Sequence, residues 1–312
     1  MRAVIEIKHV SKKIGQKQII NDLSLDVYEG EVLGLLGPNG AGKTTTIRMI
    51  VGLISISQGE IVICDKNVKK QYEQAISHVG AIVENPELYK FLTGYENLRQ
   101  YARMVKGVTK ERIDEVIELV GLKERIHDKV KTYSLGMRQR LGLAQSLLHQ
   151  PKILILDEPT NGLDPAGIRE IRDYLRKLAK ETGLTVIVSS HLLAEMEMMC
   201  DRIAIIQKGK LIDVQNVREF KNERGEERYV FAVDDVETTM RLMKEVHHFE
   251  PIKQGDRLVV AISRKNIPKI VQSLVEQKVA VYGIEQVTKS LEERFLEVTG
   301  SEEEQYDSAS GE

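Results

Sequence analysis

Eight consecutive residues, Gly37-Pro38-Asn39-Gly40-Ala41-Gly42-Lys43-Thr44, have the types and spacing needed to enclose a phosphate. Glycines there let consecutive backbone N–H groups turn inward, and Lys43 supplies a point charge for β- and γ-phosphates. The Thr44 hydroxyl can ligate Mg²⁺. The apolar run Val32–Leu36 precedes this loop and a helical run, Thr45–Leu53, follows it. A helix starting there adds partial positive charge at the anion. A second cluster, Asp157-Glu158, ends the apolar run Ile153–Leu156. Coupled to the phosphate loop, Asp157 would lie near the Mg²⁺, and Glu158 would orient or deprotonate a water attacking the terminal phosphate.

Positioning these groups requires strands that end at one edge. Val32–Leu36, Val79–Val83, Ile153–Leu156 and Thr185–Val188 read as short buried strands, and amphipathic helical stretches separate them. Pro165–Lys180 is one such helix, with Asp164 as N-cap and Ile168, Ile171, Leu175 and Leu178 along one face. The alternation predicts an α/β fold around a mostly parallel sheet. Val4–Val10 and Ile19–Val27 read as antiparallel strands, forming a separate β layer. The expected division is a first domain over 1–218, a polar linker over 219–227, a small α+β domain over 228–300 and an acidic tail over 301–312. Within the second domain, strands Tyr229–Val233, Arg257–Ile262 and Ala280–Gln286 with helices Val236–Val246 and Ile267–Gln277 suggest a ferredoxin-like arrangement.

At 312 residues, two domains are expected. A hydrophobic fraction of 42% and a formal net charge of -2 describe an ordinary globular chain with no electrostatic case for nucleic acid. Cys64 and Cys200 read as reduced, buried thiols. No run reaches the roughly 20 apolar residues that span a bilayer, so a membrane role is expected to come through a partner.

Between the two chemical clusters stands Tyr133-Ser134-Leu135-Gly136-Met137-Arg138-Gln139-Arg140-Leu141, which resembles the signature motif of the ABC ATPase family. Asn161-Gly162-Leu163-Asp164 resembles that family's D-loop and Ser189-Ser190-His191 its switch-histidine motif. The resemblance reaches to about residue 215 and implies a P-loop ABC-type ATPase domain with a helical subdomain. It also implies ATP and Mg²⁺ as cofactors, a second ATP-binding subunit, a homodimer by expectation, and permease subunits in the membrane. By the same resemblance Thr45 joins the phosphate loop, and Ser134, Gly136 and Met137 face the γ-phosphate held by the other subunit. His191 contacts that phosphate and steadies Glu158, while Asp164 crosses the interface. Ser134 independently reads as the N-cap of a helix running to Leu148. Localisation follows as cytoplasmic, at the inner face of the membrane.

Departures from the family pattern are informative. Ile14 stands where an aromatic usually stacks on adenine, and Glu84 stands at the usual Q-loop glutamine, where a carboxylate can still ligate Mg²⁺. Leu135 and Met137 replace a glycine and a glutamine of the signature. With Val79–Tyr89, these departures resemble the exporter ATPases of the bacitracin- and lantibiotic-immunity type, which implies export. Leu88-Tyr89-Lys90-Phe91-Leu92 resembles the groove that receives a permease coupling helix, against the simpler reading that Tyr89 and Phe91 fill the local core. One cassette without a heptad insertion argues against ABC ATPases of DNA maintenance or translation.

Overall fold

The computed structural model describes residues 2–217 and 228–287 of the chain. They fall into two compact units that divide between Val217 and Arg218. The expected linker over 219–227 and tail over 301–312 lie outside the described residues.

The first unit opens with a long hairpin, β1 (Ala3–Ile14) and β2 (Lys17–Tyr28), both extending beyond the apolar stretches that mark them in sequence. Lys12, Lys13 and Lys17 are polar, yet the pairing of Ile14 with Lys17 continues to the turn at Gly15, whose φ is 59°. Their backbone ladder closes whatever the side chain, and polar residues simply occupy the solvent face. Next come β3 (Val32–Leu36), α1 (Lys43–Ile50), β4 (Gln58–Ile63), β5 (Lys66–Asn67), α2 (Tyr72–Ile76) and β6 (Val79–Ile82). Strands β1, β2, β4 and β5 make an antiparallel layer in the order β2-β1-β4-β5.

A helical stretch follows: α3 (Gly94–Met104), α4 (Lys110–Leu119) and α5 (Leu135–Leu147). Helix α3 starts at a capping box, in which Thr93 Oγ1 accepts from Glu96 N and Glu96 Oε2 accepts from Thr93 N. The chain then returns to the sheet through β7 (Ile153–Leu156), α6 (Pro165–Thr182), β8 (Thr185–Ser190), α7 (Leu193–Met199), β9 (Arg202–Gln207) and β10 (Lys210–Asn216). The six-stranded sheet runs β10-β9-β3-β8-β7-β6, with β10 antiparallel at one edge and the others parallel. Every residue of β3, β7 and β8 is buried, as expected of strands covered on both faces. Each such Val, Leu or Ile contributes about 1.5–3 kcal/mol by leaving water.

The second unit contains β11 (Arg228–Val233), α8 (Val236–Glu245), β12 (Ile252–Gln254), β13 (Arg257–Ala261), α9 (Ile267–Glu276) and β14 (Val281–Val287). Its all-antiparallel sheet, β12-β13-β11-β14, has the strand order of a ferredoxin-like fold. Strand β12 escapes a sequence reading because its three residues are all exposed and carry no apolar alternation. Phe231, Met243, Leu258 and Leu274 form the centre of this unit's own core.

Candidate nucleotide site

The sheet order explains why distant residues meet. Strands β3, β8, β7 and β6 are neighbours and parallel, so the segments after them leave from one edge. Those segments carry Gly37–Thr44, His191, Asp157-Glu158 and Glu84, respectively. In open parallel sheets, ligands bind at this carboxyl edge.

The phosphate loop joins β3 to α1. A side chain at Gly37 would put its Cβ 2.1 Å from the Ile206 carbonyl oxygen. Gly42 has φ +112°, and a Cβ there would lie 2.5 Å from Ile20 Cδ1. Only glycine fits at both places. Gly42 is the N-cap of helix α1 and has no side chain to cap it, which leaves the helix's first N–H groups for an anion. Lys43 is 5% exposed, and its ammonium donates to Gly37 O at 2.8 Å and Pro38 O at 3.3 Å. Thr44 and Thr45 are half-buried in the first turn of α1.

Three side chains from three segments then form a chain of contacts. Lys43 Nζ stands 3.5 Å from Glu158 Oε1, and Glu158 Oε2 stands 3.4 Å from His191 Nδ1. Glu158 takes φ 48°, a left-handed conformation that costs a non-glycine residue roughly 1–2 kcal/mol. It is held there from outside: Glu158 N donates to Ser189 Oγ at 2.9 Å, and Ser189 Oγ donates to Asp157 Oδ1 at 2.6 Å. Asp157 N donates to Ile82 O, so the backbone that carries the carboxylate is anchored to β6 as well. The sequence reading gave Ser189 no role of its own. Its signal was a hydroxyl directly after the apolar run Val186–Val188 of a buried strand, where a buried polar group needs a partner.

Other expected positions fall elsewhere. Ile14 lies at the hairpin tip and is 56% exposed. The Glu84 carboxylate pairs with the Arg48 guanidinium of α1 and is largely exposed, so in this structure it is an ion-pair partner rather than a member of the Lys43–Glu158–His191 chain. Arg48 was not anticipated, because nothing local couples residues 36 positions apart. Ser134 caps α5, accepting from Met137 N at 3.2 Å, and is itself exposed. Gly136 and Met137 are half-buried in the same turn. Asp164 caps α6 by accepting from Gly167 N at 2.8 Å and is exposed. Tyr89 and Phe91 are exposed, with ring centroids 5.9 Å apart, and so do not fill the core. Cys200 is buried, and burial pushes its thiol well up; Cys64 is only half-buried. Among the methionines of α7, Met196 and Met199 are core residues whereas Met198 is exposed.

The donor set can be tested against a magnesium ion. Thr44 and Asp157 offer hard oxygen donors, and Asp157 is 3% exposed with one carboxylate oxygen engaged by Ser189. Among the described residues no group of three or more His, Cys, Asp or Glu could hold a metal ion. An ion that takes one or two protein oxygens and completes its shell with phosphate and water is the kind that fits here, as Mg²⁺ does.

Comparison with known proteins places these features in a family. The ABC transporter family profile matches residues 20–161. The ABC transporter ATP-binding protein YhcH of Bacillus subtilis is 59% identical over 309 residues, covering 99% of this chain and all of that one. The bacitracin transport ATP-binding protein BcrA of Bacillus licheniformis is 38% identical over 304 residues, covering 96% and 98%. Among solved structures, the dimeric post-hydrolysis state of the ATP-binding cassette MJ0796 bound to ADP and Pi aligns with a TM-score of 0.61. It is 25% identical and covers 69% of this chain and 99% of that one.

Proposed function

This chain belongs to the family of ABC transporter ATP-binding proteins and is an ATPase, and on that premise we propose how its own residues turn over ATP and what they drive. The observation that carries the reading is the Lys43–Glu158–His191 contact chain, assembled from the ends of three neighbouring parallel strands. The loop Gly37–Thr44, with Thr45, binds the phosphates through backbone N–H groups and Lys43. ATP competes with Gly37 O, Pro38 O and Glu158 for the Lys43 ammonium, which releases the Glu158 carboxylate toward water. Glu158 then takes the proton of the attacking water, and His191 orients Glu158 and the terminal phosphate. Thr44 and Asp157 would hold Mg²⁺, which neutralises phosphate charge when bound.

Two copies complete each site: the exposed Ser134 end of α5, with Gly136 and Met137, faces the phosphate held by the partner. The helix dipole there, with the backbone donors of the first turn that Ser134 does not cap, suits an anion. Asp164, on the exposed turn that starts α6, links the two sites, and Ile14 lies against the adenine without stacking on it. The ATPase sits in the cytoplasm, beneath permease subunits, and drives export of a peptide antibiotic or similar compound. The 38% identity to a bacitracin transport protein along nearly the whole chain supports that cargo class. The C-terminal unit is an accessory domain.

The permease contact is tested at Lys90. Between the exposed Tyr89 and Phe91, it faces solvent on the surface assigned to the coupling helix. With the permease co-expressed, Lys90→Glu should reduce co-purification by about tenfold, the effect of roughly 1.4 kcal/mol, while ATP binding by the free subunit stays unchanged. Undiminished co-purification would remove that surface from the interface.

Glu84 offers a second check. Because its carboxylate rests on Arg48, Glu84→Gln should leave the ATPase rate of the isolated protein within roughly threefold of wild type, as for an exposed ion pair worth about 0–1 kcal/mol. A dead variant would return Glu84 to the catalytic centre.

A further inference from the structure

Glu158 and His191 leave the sheet on separate segments, and one buried carboxylate bonds a residue close to each, Thr160 and Ser190. Glu195 lies in α7 and is 8% exposed. Its Oε2 accepts from the Thr160 hydroxyl at 2.7 Å and from the Ser190 hydroxyl at 3.4 Å. Thr160 stands two residues past Glu158, where the turn Asn161–Asp164 begins, and Ser190 directly precedes His191. Both are buried, at 6% and 3% exposed. Ser190 Oγ also accepts from Leu192 N at 2.9 Å, which sets the turn in which His191 sits.

The buried surface of α7 around Glu195 is otherwise apolar: Met196 and Met199 are 0% and 1% exposed. A carboxylate in such a place is costly unless hydrogen-bonded, and two hydroxyls, one from the loop after β7 and one from the end of β8, supply the bonds. Ser189, the neighbour of Ser190 in β8, adds a second tie to the Glu158 loop, through Glu158 N and Asp157 Oδ1. The 3.4 Å Glu158–His191 contact is thus flanked in the chain by residues that two separate ties hold, Thr160 and Ser190 through Glu195 and Asp157 through Ser189.

We infer that Glu195 is a positioning residue for hydrolysis: it does not touch nucleotide, and it holds the Glu158 loop and the His191 loop in one mutual geometry. The inference rests on the reading of Glu158 and His191 as the hydrolytic pair. Misplacement by about 1 Å at such a pair is enough to cost on the order of 100-fold in rate.

The test uses the full-length chain with Glu195→Ala, Glu195→Gln, Thr160→Val and the Glu195→Ala/Thr160→Val double variant, beside Glu158→Gln. Phosphate release gives kcat, and titration with a fluorescent ATP analogue gives nucleotide affinity. Glu195→Ala should lower kcat on the order of 10- to 100-fold while affinity stays within roughly threefold. Glu195→Gln keeps an acceptor oxygen and should recover most of the rate. Thr160→Val should follow Glu195→Ala, and the double variant should be no worse than Glu195→Ala alone, because both changes break the same tie. Wild-type kcat in Glu195→Ala overturns the inference, and so do fully additive losses in the double variant. Should Glu195→Ala fail to fold, Thr160→Val carries the test, and a wild-type rate in it is equally fatal. Full hydrolysis by Glu158→Gln would instead overturn the assignment of the base, a failure separable from that of Glu195.

Discussion

Glu158→Gln should bind ATP normally, accumulate as an ATP-dependent dimer and turn over at least about 100-fold more slowly than wild type. The substitution keeps shape and hydrogen bonding and removes only the ability to take a proton. Its backbone would be unaffected: Glu158 N still donates to Ser189 Oγ, and glutamine tolerates φ 48° no worse than glutamate. Neutralising the carboxylate also ends its pairing with Lys43, 3.5 Å away, so the ammonium is freer for phosphate. Affinity therefore should not fall. Phosphate release and size-exclusion chromatography with and without ATP read both effects. Hydrolysis within a few-fold of wild type would dismiss Glu158 as the base. A slow variant that stays monomeric with ATP would instead remove the partner's Ser134 end of α5 from the site.

Lys43→Ala should lose ATP affinity by roughly 30-fold to several thousand-fold, the equivalent of about 2–5 kcal/mol for truncating one side of a buried, hydrogen-bonded charge pair. The ammonium is 5% exposed and already oriented by two loop carbonyls, so little side-chain entropy remains to be lost when phosphate arrives. Removal leaves the glycine loop and the uncapped start of α1 in place, and these backbone donors account for residual binding. Isothermal titration with ATP, with a thermal melt to confirm folding, measures it. Wild-type affinity in a folded variant would contradict the phosphate-loop assignment.

The two variants separate binding from chemistry. Lys43→Ala loses both, and Glu158→Gln loses only the second. That contrast follows from position: Lys43 donates into the loop that grips phosphate, whereas Glu158 meets Lys43 through one carboxylate oxygen and His191 through the other.

Much of this is legible in the sequence. The phosphate loop is contiguous, so its glycines, lysine and threonine announce themselves by spacing alone. Ser134 and Asp164 cap the helices expected of them, because a cap bonds to a backbone N–H three residues on. The buried strands were visible as apolar runs, since burial on both faces leaves no polar alternation. In the C-terminal unit the succession of elements suggested a ferredoxin-like arrangement, while β12, exposed throughout, was invisible.

What the chain's order of residues determined, then, was everything that depends on near neighbours: periodicity, caps, the glycine turns and the family motifs. The tertiary structure alone decided which strands lie side by side, and so which segments converge on Lys43. It turned Glu84 onto Arg48, left Tyr89 and Phe91 in solvent, and brought Thr160 and Ser190 to one carboxylate on α7. These partners are separated by 36, 35 and 5 positions, and at the long separations no local rule links them. A buried polar atom accepts whichever donor the packed sheet delivers, and that delivery is set by hydrophobic burial across the entire unit.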